Sequence, residues 1–308
     1  MDSQSFVKLI DKKRLVKDLE ALGVRKGDLL NVKVSMTSIG YVVDGSKTLI
    51  DALLEVIGPK GTIVTDSFVN FYPLPLSKDN ARRISDRYTP SYAGALANTM
   101  IYRPDAFCST HPIQRFVAIG ARAEELMENH TVESYAYDVL RVMAESGGRN
   151  LKIGTDEKVV GVGTTHVAIG LLKFHLNRRR EGVNYYDYKS GQIRLYERNW
   201  SGVCSEGFNK FLPLYRKGGA VLSEGKVGNA DSKITDMKKT LEIEIETLSK
   251  DPKFFFCDDP TCTDCRLGWN FSSGSIISVR LYKLHKGAKI IFNTLPKFMK
   301  KANEYLSS

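Results

Sequence analysis

Two hydrophobic rhythms take turns along the chain: apolar stripes at a helical period of about 3.6, and short unbroken apolar runs of the kind that buried strands carry. Residues 6–22 put Leu9, Leu15, Leu19 and Leu22 on one stripe and predict an amphipathic helix. Leu29–Val34 predicts a strand, which runs into a turn of small and hydroxyl residues at 35–40. Residues 46–56 predict a helix capped at Asp44 or Ser46, with Leu49, Ala52, Leu53 and Val56 inward and Gly58-Pro59 as its stop. Next come a strand at 62–65, a long polar loop at 66–89 and a helix at 92–102. Residues 109–119 predict a loop leading into a strand, 121–129 and 139–146 two helices, and 151–162 one or two strands.

Regular alternation of strand and helix predicts an α/β fold, a mainly parallel central sheet flanked by helices. After Phe174 the pattern changes. Residues 183–200 alternate aromatic, apolar and polar positions and predict an antiparallel hairpin insertion turning at Ser190-Gly191. A helix at 208–217, a turn at 227–230, a strand at 232–234 and an acidic-faced helix at 235–249 follow, with no internal repeat. Residues 1–250 thus read as one α/β domain, and 251–308 as a compositionally distinct C-terminal extension packed on it.

One junction stands out. Val159, Val160 and Val162 predict a buried strand, Gly161 and Gly163 loosen the backbone, and Thr164 or Thr165 can cap the apolar helix over 167–174. His166 falls where that strand meets that helix, the place where open α/β sheets hold ligands. A neutral histidine there can take a proton; a histidine that caps the helix or packs in the core would look the same.

Composition adds a soluble globular balance, with 42% hydrophobic and 26% charged residues. No apolar run has the length of a membrane span, and the N-terminus lacks the order of a signal peptide. With five cysteines, an odd number, the chain reads as a cytoplasmic protein without a disulfide framework. Cys257, Cys262 and Cys265 cluster one ligand short of a zinc site, which Asp258, Asp259, His285 or another cysteine could complete. Reduced cysteines in a tight turn are the favoured reading, and no metal is assigned. The net charge of +10 favours anionic partners, although there is no nucleic-acid-binding signature and a solvated basic surface explains it equally.

Five stretches, in order, resemble the aminoglycoside 3-N-acetyltransferase family: residues 27–68, 91–100, 109–126, 159–172 and 224–230. The likeness runs from about Val16 to about Leu248. It implies an acetyl-CoA-dependent N-acetyltransferase working by direct transfer. It also implies that the turn after the first strand (Ser35, Met36, Thr37, Ser38, Gly40) meets coenzyme A. Exposed amides leading into a helix suit pyrophosphate and could stabilise an oxyanion. His166 matches the family's histidine acting on the amine, with His175 a second candidate because the local spacing differs. Asp138 is a candidate for orienting His166, and Asp66, Ser67 and His111 for meeting the substrate; His111 could instead only pin its loop.

The chain departs from the family pattern at Lys33, often histidine, at Thr37, often arginine, and at Thr65-Asp66-Ser67-Phe68 in place of Met-Pro-Thr-Phe. A basic protein repels polycations at long range and attracts a pyrophosphate. That argument favours a nucleotide-linked amino sugar of cell-surface glycan synthesis as substrate, with Tyr185, Tyr186 and Tyr188 available for stacking. The alternatives are an aminoglycoside, a non-catalytic basic nucleic-acid-binding module, or a member that binds coenzyme A without turnover. A homodimer stays open.

Overall fold

Leu29–Val34 (β1) is the middle of the sheet, and its first four side chains are buried, as in a strand covered on both faces. In this computed structural model residues 9–154, 161–175, 180–199 and 204–288 are described, together with 294 and 296. The other strands are Thr62–Asp66 (β2), Tyr72–Pro73 (β3), Ile84–Ser85 (β4), Ala106–Cys108 (β5), Phe116–Gly120 (β6), Arg149–Ile153 (β7), Glu181–Asp187 (β8), Gln192–Glu197 (β9), Val221–Val227 (β10) and Ala230–Asp236 (β11). Among them β10-β11-β7-β1-β2-β6-β5 form one seven-stranded sheet in that order. β1 is parallel to β2 and β7, while β11 on β7 and β6 on β2 are antiparallel. The α/β class stands as predicted, its parallel part concentrated at the centre. β3, β4, β8 and β9 make a second, smaller sheet containing the predicted hairpin.

Strand alternation sorts residues between two cores. Leu30, Val32, Ile63, Val117 and Leu151 meet the helices Lys12–Leu22 and Ser46–Ile57 on one face. Leu29, Val64, Phe116 and Ala118 meet the helices Asp138–Glu145, Thr164–Leu171 and Met237–Lys250 on the other. Lys33 and Asp66 project from the ends of β1 and β2 to this second side. Phe255, Phe256, Cys265 and Trp269 of the C-terminal block are buried in the same core. No helix among the described residues is long and apolar enough to cross a membrane.

Some boundaries move for local reasons. The first helix starts at Lys12 because Asp11 accepts the Arg14 amide at 2.8 Å as its cap; Leu9 lies outside the helix and is exposed. The helix predicted over 92–102 shortens to Ala95–Ile101 behind Gly94, whose φ is +118°. The 66–89 loop contributes β3 and β4, too short to show a period, and β5 and β10 went unpredicted. Residues 159–160 of the expected strand and the basic knots at 178–179 and 297–301 lie outside the described residues, and Gly161 and Val162 are not in a strand.

Candidate active site

His166 lies in the first turn of the helix Thr164–Leu171. The N-cap is Gly163 at φ +93°, where a Cβ would also lie 2.9 Å from Leu140 Cδ1, so the turn needs glycine. The neighbouring threonines reach the helix Met237–Lys250 instead of capping: Thr165 Oγ1 donates to Glu244 Oε1 at 2.6 Å and Thr164 Oγ1 to Thr240 Oγ1 at 3.2 Å. The His166 ring stacks on Tyr137, with centroids 4.3 Å apart and planes at 9°, and meets Phe208 edge-on at 4.9 Å. Tyr135 donates its hydroxyl to the His166 carbonyl at 3.0 Å. Nδ1 is buried and has no hydrogen-bond partner among the described residues. Burial first, then the charges of Lys33 and Arg198, holds the His166 pKa down to about 3. The imidazole is therefore neutral at pH 7.

Beside it stands an ion pair. Lys33 Nζ lies 3.3 Å from Asp66 Oδ2, and both side chains are largely buried. The parallel register, Asn31 opposite Val64, brings the two residues level at the carboxyl ends of β1 and β2. Asp66 Oδ1 is buried and has no hydrogen-bond partner among the described residues. Burial pushes the Tyr137 phenol well above its usual range, with the Asp66 charge acting the same way on it and on the half-exposed Tyr92. Arg198, buried over the Phe71 ring at 4.4 Å and paired with Glu181, acts on both tyrosines in the opposite sense. His166, Lys33, Asp66, Tyr92, Tyr137 and Arg198 thus share one electrostatic neighbourhood.

The other expected site residues sort differently. Asp138 accepts from Arg141 Nε at 2.7 Å, one helical turn on, so the residues that position His166 are Tyr135 and Tyr137. Ser67 is fully buried and receives Arg115 Nε at 3.1 Å and Nη2 at 3.0 Å. His111 is also buried; its Nδ1 takes the Gln114 amide at 2.9 Å and its ring stacks on His130 at 5.0 Å, so it pins its loop. His175 is exposed beyond the helix end. Tyr185 packs inward; Tyr186 and Tyr188 pair edge-on, and Tyr188 lies under Arg87.

The 35–40 turn is a single helical turn, Met36–Ile39. The Ser35 amide is bound to Ile153 O at 2.8 Å, and Gly40 at φ +108° packs so that a Cβ would lie 2.7 Å from Asn229 Nδ2. Ser35, Thr37 and Ser38 bring three hydroxyls together, Ser38 Oγ on Ser35 Oγ at 2.8 Å and Ser35 Oγ on Thr37 Oγ1 at 3.1 Å. Cys257, Cys262 and Cys265 meet as expected, and Cys204, from just ahead of Phe208, adds a fourth sulfur. Tyr137, Phe208, Arg198 and Cys204 went unread in the sequence; the aromatic pair at 135 and 137 was the one local signal.

A profile of the aminoglycoside 3-N-acetyltransferase family matches residues 32–249. The chain belongs to this family. Membership makes it an acyltransferase that uses acetyl-CoA. Aminoglycoside N(3)-acetyltransferase VIII of Streptomyces fradiae is 35% identical over 160 residues, 47% of this chain and 56% of that protein. Against this relative the chain thus aligns over about half of the relative's length. Aminoglycoside N(3)-acetyltransferase VII of Streptomyces paromomycinus is 27% identical over 286 residues, 81% of this chain and 96% of that protein. The fold of sisomicin-bound AAC-VIa matches with a TM-score of 0.68 at 25% identity, over 79% of this chain and 98% of that one. Ligand-free AAC(3)-IVa matches in fold with a TM-score of 0.69 at 24% identity, over 85% and 97%.

These relatives overturn the nucleotide-linked amino sugar expected as substrate. Net charge misled because it sums the whole chain. Residues 251–308, outside the matched span, hold nine lysines and arginines against five acids. Such charges are screened beyond a Debye length of about 8 Å, and the Lys33 charge that acts on His166 is paired with the Asp66 carboxylate.

Proposed function

We propose that this family member acetylates an amine of an aminoglycoside, with His166 as the base. The reading is carried by one arrangement: a neutral imidazole and a buried carboxylate, each with an atom lacking a partner among the described residues, and both within reach of the Lys33 charge. The names of the curated relatives and the sisomicin complex of AAC-VIa support the acceptor class. Asp66 Oδ1, with no partner among the described residues, would accept a charge-assisted hydrogen bond from an ammonium and so orient it.

The 35–40 turn suits coenzyme A, because a single helical turn cannot satisfy its own first amides and three hydroxyls stand with them. Met36, Thr37 and Ser38 would hold its polar groups, while Ser35 and Gly40 shape the turn. Bound acetyl-CoA supplies the thioester carbonyl that the amine attacks. His166 is too weak a base to strip a resting ammonium; it takes the proton as the C–N bond forms and the nitrogen becomes acidic. Tyr137 and Phe208 hold its ring flat for that transfer. The reading places the reaction in the cytoplasm, with acetyl-CoA.

The test is thiol release from acetyl-CoA across an aminoglycoside panel, with the product identified by mass. Turnover should fall on the order of 10² to 10⁴-fold in His166→Ala, with coenzyme A affinity kept. No release with any aminoglycoside, from protein that coenzyme A still protects against heat, would refute the acceptor class. Full turnover in His166→Ala would refute the base.

A further inference from the structure

We propose that Cys204, Cys257, Cys262 and Cys265 bind one structural zinc ion, which ties the C-terminal block to the segment that floors His166. These are four of the chain's five cysteines, and their sulfurs all lie within 4.8 Å of one another. Four thiolates at the usual zinc–sulfur length of roughly 2.3 Å stand about 3.8 Å apart, so small rotamer adjustments close the tetrahedron. Cys262 and Cys265 have the two-residue spacing of a zinc knuckle, and Cys257 precedes them by a spacer within the range such sites use. Backbone amides already face the sulfurs: the Cys257 amide lies 3.5 Å from Cys265 Sγ, the Cys265 amide faces Cys262, and the Glu206 amide faces Cys204. A four-thiolate zinc centre carries net charge −2, and Lys253 and Arg266 line the adjoining pocket to offset it, beside Lys210 paired with Asp258. With all four positions taken by sulfur, no site is left for substrate. The ion would be structural.

Its placement gives the centre a purpose. Cys204 leads into the turn Phe208–Phe211, and Phe208 is the ring set edge-on against His166 and 6.2 Å from Phe255 of the C-terminal block. Closing the four sulfurs fixes both sides of that wall. The full-length protein, purified under reducing conditions without chelator, should hold about one zinc per chain by elemental analysis. Reconstitution with cobalt alone should give thiolate-to-cobalt charge-transfer bands and the visible spectrum of a tetrahedral site. Cys204→Ser should lose the metal and lower Tm by several degrees, whereas Cys108→Ser should change neither. Should Cys204→Ser fail to fold, the wild-type metal content and the cobalt spectrum decide alone. Metal-free protein after zinc reconstitution, fewer than five titratable thiols in the denatured metal-free chain, iron in place of zinc, or cobalt bound without thiolate bands would each overturn the proposal.

Discussion

Removing the Lys33 charge tests the electrostatics around His166 directly. Lys33 Nζ lies 3.7 Å from the place a Cβ on Gly163 would occupy, three residues before His166. At an effective dielectric of about 20, two unit charges roughly 7 Å apart repel by about 2 kcal/mol, or between one and two pKa units. Lys33→Met should therefore raise the His166 pKa from about 3 to roughly 4–5. It should stay below the ordinary value of about 6.5, because burial is the larger cause and survives the substitution. Ring-proton NMR titration measures this, with the His166 resonance assigned by its loss in His166→Gln. Lys33→Arg, which keeps the charge, is the control. A wild-type His166 titrating near 6.5 would refute the desolvated base, and an unmoved pKa in Lys33→Met would remove Lys33 from the account.

Buried neutral histidines also predict acid lability. His166 and His130 are held at about 3 and about 4, and His111 well below normal, all mainly by burial. The unfolded chain binds protons below about 6.5 that the fold refuses, so stability is intact above that pH and falls beneath it. His166 and His130 should each cost about 2 kcal/mol by pH 5, read from urea midpoints at pH 7 and 5; equal midpoints would contradict the burial of their rings. Glu244 works in the opposite direction. Burial raises it to about 7, so its fold keeps a proton the unfolded chain releases, and stability is lost as pH rises from about 4.5 through 7. Glu244→Gln should therefore stabilise by about 3 kcal/mol at pH 8 and hardly at all at pH 4, and a gain independent of pH would argue against a titrating carboxyl. Gly40→Ala forces a Cβ against Asn229 at φ +108° and should cost about 1–3 kcal/mol in thermal unfolding. Adding Asn229→Ala should recover only the clash, because the backbone strain remains; full recovery would mean that φ is not strained.

What the sequence revealed was what neighbours in sequence decide. β1 and the helix Ser46–Ile57 each show their pattern within a dozen residues and stand where the pattern put them, whereas the helix expected over 167–174 starts at Thr164, behind Gly163. Features made by distant meetings were hidden. Tyr137 and Phe208 flank His166 from opposite sides along the chain, and Cys204 reaches its three partners only through the fold. Asp138 drew attention as a carboxylate in the right region, but Arg141, three residues on, is the nearer claimant. Ser67 and His111 sit in family-like stretches and are polar, yet their polar atoms hold Arg115 and a loop. A matched polar residue signals a buried contact as readily as a ligand.

Lys33 and Asp66 change the meaning of the family departures. Read along the sequence they are two unrelated substitutions, one for histidine and one for proline. In the structure they lie on adjacent parallel strands and touch at 3.3 Å, so they amount to one change, a largely buried ion pair whose cation acts on His166. Breaking such a pair from either side leaves a buried charge without its partner, which costs more than the pair itself contributes. Neither residue is then free to drift alone. Because Asp66 has one oxygen on Lys33 and the other without a partner among the described residues, the pair also sets which way the carboxylate faces. On the proposed reading the orientation of Asp66 toward an acceptor depends on Lys33, so substitutions at the two positions should not act independently.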